Sequence, residues 1–133
     1  MWLTRSPWRP FRRSSRDPAG GRITIPPTTD EIWLDGTAER QVELGAAERS
    51  PTQFRLVDPA NDRDEIEVLM HGVTVVGFLD PAVTRGYRRF VRRATANGRQ
   101  VWVHGQVVRV GVDLCVVLHC PPRWPLRRIR SNQ

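Results

Sequence analysis

The chain has 133 residues and 15.3 kDa, 39% apolar and 26% charged, the size of one domain. Twenty-one arginines, no lysine and fourteen acids leave a net charge of +7 and a pI near 11.2. No apolar run reaches the roughly 18 residues that span a bilayer, no apolar stretch follows the basic N-terminus to make a secretory signal, and two cysteines are too few for a disulfide scaffold. A cytoplasmic protein with no membrane partner is expected.

Charge falls into three blocks. Residues 1–29 carry six Arg and one Asp, net +5; residues 30–80 carry four Arg and twelve acids, net −8; residues 81–133 carry eleven Arg and one Asp, net +10. The first block is rich in Arg, Pro, Ser and Gly without apolar period and reads as a disordered basic arm. Trp2, Trp8 and Phe11 stand among its arginines. Residues 121–133, with Trp124, Arg127, Arg128 and Arg130, read as a basic C-terminal tail. Residues 30–120 remain as the folded domain, enough for one core.

Within that domain, Ile32 and Leu34 mark a short first strand over 31–34. Residues 36–47 suit a helix with Thr37 as cap and Ala38, Val42 and Leu44 as a sparse apolar face. Strands follow over 52–57 (Phe54 and Leu56 on one face), 65–70 (Ile66, Val68 and Met70) and 73–79, with His71-Gly72 as a turn. A second helix then has Asp80 as N-cap, Pro81 at the first position and Gly98 beyond its end. Val83, Tyr87, Phe90, Val91 and Ala94 recur on one helical face. Two closing strands, 100–110 and 113–119, meet at Gly111-Val112, with Gly105 marking a bend. The order β-α-β-β-β-α-β-β has short hairpins and no repeating βαβ unit. It predicts a mainly β fold, a small antiparallel barrel covered by two helices, with an open α+β sheet as the alternative.

The middle of this domain resembles the HIRAN family. There an apolar strand leads into a Glu-Pro-x-Asn-x-x-Asp turn, an Ala-Ile/Val strand, a Gly-x-x-Val-Gly-Tyr-Leu hairpin and a helix. Here Leu56-Val57 leads into Asp58-Pro59-Ala60-Asn61-Asp62-Arg63-Asp64, then Ile66-Glu67-Val68, Gly72 and Val76-Gly77-Phe78-Leu79. Ala82 and Tyr87 stand where the family helix carries Ala and an aromatic, and Trp33-Leu34-Asp35-Gly36 is similar to the opening of bacterial versions. The likeness covers residues 31–119. Arg63 replaces the Tyr of the best-known members, and the hairpin is one residue longer, with Val75 added. The resemblance implies a six-stranded, OB-like barrel that binds DNA, in some members the 3′ end of a single strand. With no Walker or DEAH motif, it implies a binding module or adaptor for DNA repair or processing, working beside a partner such as a helicase or nuclease.

Two sets of residues then become candidates for contact with DNA. Asn61, Arg63 and Asp64, flanked by Trp33, would line a pocket for a strand end, with Arg63 on phosphate and Asp64 accepting from a sugar hydroxyl. The bland alternative is a turn built by Asp, Asn and Pro. Arg85, Arg88, Arg89, Arg92 and Arg93 form an arginine helix face with no acid in the helix to pair with them. That arrangement rewards counterion release from a polyanion; the alternative is a solvated face, neutralised by the acidic strands.

No cofactor and no catalysis are expected. Cys115, Cys120, His71, His104 and His119 lack the spacing of a zinc site. Ser50 has no His and acid in a readable arrangement, and Asp62/Asp64 and Glu65/Glu67 make only a weak case for a metal-dependent nuclease. The competing function is a protein-interaction domain that docks through the acidic half.

Overall fold

The computed structural model describes residues 21–46, 51–59 and 65–125. Seven strands and two helices follow in the order β1 (Arg22–Ile25), β2 (Ile32–Trp33), a 3-10 turn (Thr37–Arg40) running into α1 (Gln41–Gly45), β3 (Gln53–Val57), β4 (Glu67–Met70), β5 (Thr74–Phe78), α2 (Pro81–Ala96), β6 (Gln100–Val110) and β7 (Asp113–Leu118). The sheet runs β2-β7-β6-β3-β4-β5, and all these neighbours pair antiparallel. Its two ends meet. Asp35, just past β2, exchanges two backbone hydrogen bonds of 2.9 Å with Phe78 of β5, so the sheet curls into a small OB-like barrel.

Period-two alternation fills the barrel. Phe54, Leu56, Val68, Val76, Val101, Val103, Val116 and Leu118 are buried in one cluster. At residue 105 the long strand β6 changes partners, from β3 to β7. Only glycine fits there, because a Cβ at Gly105 would stand 2.7 Å from the Val117 carbonyl oxygen. The β4–β5 turn puts both His71 (φ 57°) and Gly72 (φ 78°) in the left-handed region, and Val73 N–H closes it on the Met70 carbonyl at 3.2 Å.

α2 forms as its end signals require. The Asp80 carboxylate accepts from the Val83 amide at 2.9 Å, and Pro81 opens the first turn. At the other end Gly98 (φ 73°) donates to the Thr95 carbonyl and Arg99 to the Ala94 carbonyl, a Schellman cap. Val83, Tyr87, Val91 and Ala94 join the core. Thr84, also fully buried, accepts from the Ile66 amide and donates to the Leu79 carbonyl.

Three expectations need correction. The arm expected over 1–29 does not hold for its last residues, because Arg22–Ile25 forms β1, parallel to β6 over Gln100–Val103; residues 1–20 lie outside the described residues. Its partner lies far along the chain, so four residues inside an Arg- and Pro-rich stretch gave no local sign of pairing. The first helix is shorter than 36–47 and lacks a side-chain cap at Thr37; the left-handed Gly36 precedes it, and Val42 is 81% exposed. It is held instead by Gln41, whose amide group donates to the Leu114 carbonyl and accepts from the Leu114 amide, both at 2.8 Å. The tail expected over 121–133 does not hold for its first residues, and 126–133 lie outside the described residues. Pro121 is buried, the Tyr87 hydroxyl donates to its carbonyl, and Trp124 packs against the core.

Candidate nucleic-acid interface

The five arginines of α2 divide into two groups. Arg88 and Arg92 turn toward Asp58, at the end of β3. Arg92 Nε donates to Asp58 Oδ2 at 2.7 Å and Arg88 Nε stands 3.6 Å from the same oxygen. The Asp58 side chain is 6% exposed, so its charge acts on these two cations with little water between them. Part of the acidic block therefore does neutralise the helix, by an acid outside it.

Arg85, Arg89 and Arg93 lie on a different face, one turn apart, about 6 Å per step along the axis. They line an open groove of about 990 Å³ between α2 and Pro122–Pro125. Arg123 adds a fourth guanidinium from the opposite wall, and among the described residues no carboxylate lines the groove. Phe90 and Trp124 supply its apolar surface, edge to face with centroids 6.4 Å apart. The groove is thus a cationic ladder beside an aromatic surface, the combination that holds a polyanion bearing stackable rings.

Gly86 makes this geometry. It stands in the middle of α2, where glycine weakens a helix. A Cβ there would lie 2.5 Å from the Pro122 carbonyl oxygen and 2.9 Å from Arg123 Cβ. The bare backbone instead lets the C-terminal segment approach, and Trp124 N–H donates to the Gly86 carbonyl at 3.0 Å. Beneath the segment, burial pushes the Tyr87 phenol well above its ordinary range and raises the Cys120 thiol, so both stay protonated at neutral pH.

The sequence placed Arg85, Arg89 and Arg93 on the candidate surface and offered Trp124 as a base-stacking residue of the tail, but it did not bring Trp124 to this helix or show Gly86, Phe90 and Arg123 as parts of the surface. The available signal was an unexplained glycine inside an otherwise well-formed helix. Trp33, 47% exposed on β2 beside Val117, does not line the groove. The proposed strand-end residues Asn61, Arg63 and Asp64 lie outside the described residues. Among the described residues no group of three or more His, Cys, Asp or Glu could hold a metal ion, and no helix is long and apolar enough to cross a membrane. No family model, curated protein or solved structure matches the chain.

Proposed function

We propose that this protein is a DNA-binding module, of the HIRAN kind that its turn and hairpin resemble, which holds a single strand along the α2 groove. The observation that carries this reading is the groove itself: Arg85, Arg89, Arg93 and Arg123 face one open channel that, among the described residues, no carboxylate lines. Phosphates would lie along the arginine ladder, with a base against Trp124. A duplex offers its phosphates but keeps its base faces stacked, so the aromatic wall favours the single strand. Nothing in the groove suggests bond-breaking chemistry, and the module acts by holding a strand for a processing enzyme such as a helicase or nuclease.

Docking of a protein through the acidic block has less support. Asp58 is engaged by Arg92, Asp80 caps α2, and Glu43 pairs with Arg40 at 3.8 Å, so several of its charges already have partners within the chain.

Fluorescence anisotropy with labelled single-stranded and duplex oligonucleotides tests the reading. The wild type binds the single strand at low micromolar concentration in about 50–100 mM salt, where phosphate-driven affinity is strongest. Replacing Arg85, Arg89 and Arg93 together by Ala flattens the salt slope by about two units, at about 0.7 per phosphate lost. A salt slope unchanged in the triple variant removes the groove as the interface. No binding by the wild type removes the function.

A further inference from the structure

A second cationic site lies on the outer face of the barrel, where β1, β6 and β3 run side by side. Trp102 of β6 stands between Thr24 of β1 and Arg55 of β3. The Arg22 guanidinium lies over its ring, 3.8 Å from the centroid, and reaches on to Gln53 Oε1 of β3 at 3.5 Å. The indole N–H donates to Gln100 Oε1 at 2.9 Å. The β4–β5 turn closes on another edge of the ring, where a Cβ at Gly72 would be 3.2 Å from it. Trp102 is therefore 7% exposed although it points away from the barrel interior.

Arg55 is the anomaly of this face. Its Nε is buried and has no hydrogen-bond partner. Neither Arg55 nor Arg22 forms an ion pair among the described residues, and Glu67, on the neighbouring strand, does not reach Arg55. A guanidinium stays charged in any protein environment, so it cannot relieve a missing acceptor by losing a proton. A buried N–H without an acceptor is costly, and two cations on one face with no ion pair among the described residues add repulsion. The nearest side-chain acceptors are already engaged: Gln53 Oε1 accepts from Arg22 and Gln100 Oε1 from Trp102.

The geometry points to a site for a phosphate monoester, bound by Arg55 and Arg22 against Trp102. A monoester carries between about 1.5 and 2 negative charges and three strong acceptor oxygens, matching two guanidiniums better than a diester or a carboxylate does. It could come from the phosphorylated end of a nucleic-acid strand or from a free nucleotide. The site shares no residue with the α2 groove and does not depend on it.

Heteronuclear NMR of the full chain tests this through the Arg55 Nε–H and Trp102 indole N–H resonances. Inorganic phosphate shifts both saturably at millimolar concentration, and chloride at matched ionic strength does not. Arg55→Gln and Arg22→Gln each weaken the response of the Trp102 N–H about tenfold or more, the loss of a charge-assisted hydrogen bond. The triple alanine variant of the α2 groove responds like the wild type. Tight saturation by a terminally phosphorylated oligonucleotide, but not by its unphosphorylated twin, identifies a strand end as the source; tight saturation by a nucleoside monophosphate alone identifies a free nucleotide. Should Arg55→Gln fail to fold, Arg22→Gln carries the test from the exposed side. Unsaturable shifts equal to those with chloride, or wild-type titration by both Gln variants, overturn the proposal.

Discussion

Replacing Asp58 by Asn should move stability and DNA affinity in opposite directions. The side chain is 6% exposed, accepts from Arg92 Nε at 2.7 Å and lies 3.6 Å from Arg88 Nε. A charge-assisted hydrogen bond contributes about 1.5–3 kcal/mol. Arg92 is 57% exposed and screened by water, and Asn still offers an acceptor, so the expected loss is about 1 kcal/mol. That lowers the melting temperature by about 4–8 °C in a domain of this size. At the same time two guanidiniums on α2 lose their carboxylate. If both then meet phosphates, the salt slope for single-stranded DNA steepens by about 1.4 units, and affinity at low salt rises. Differential scanning calorimetry and anisotropy at a series of salt concentrations give the two readouts. A variant that is destabilised and also binds DNA more weakly would show that Asp58 positions these arginines for the ligand and does not hold them from it, and the reasoning above would fail.

Two further outcomes follow from the packing around the groove. Gly86→Ala should destabilise by about 1–3 kcal/mol in urea unfolding, because the Pro122 carbonyl 2.5 Å from the new Cβ outweighs the gain of about 1 kcal/mol in helix propensity; a net gain in stability would mean that the C-terminal segment does not rest on α2. The buried Tyr87 and Cys120 give alkaline lability. Burial raises both groups above their unfolded values, so their contribution is fully present below those values and is lost as pH rises past them. Stability should begin to fall above pH ~8.5, where the unfolded thiol ionises, and should fall further above pH ~10, where the unfolded phenol ionises while the buried one stays protonated, at about 1.4 kcal/mol per pH unit for the phenol. Unfolding free energies that stay flat from pH 8 to 11 would contradict this placement of the two groups.

The sequence by itself determined the elements whose signals are local. α2 was legible from Asp80, Pro81 and Gly98 at its ends and from Val83, Tyr87, Val91 and Ala94 at helical spacing between them. The β6–β7 hairpin and its turn at Gly111-Val112 were legible because alternation and a turn residue act over a few positions. The arginines of α2 were also visible, but not which of them would remain on an open surface. That depended on Asp58, more than twenty positions away, and on Pro122–Pro125, which Gly86 admits to the helix. β1 had the same difficulty, since its hydrogen bonds come from β6 and its own four residues carry too little pattern to announce a parallel partner. Among the described residues, closure of the barrel is carried by the bridge between Asp35 and Phe78, from opposite ends of the sheet. Caps, turns and periodicity are fixed by neighbours in the chain. Charge pairing, close approach of backbones and sheet closure are fixed by neighbours in space, and only the tertiary structure brings those together.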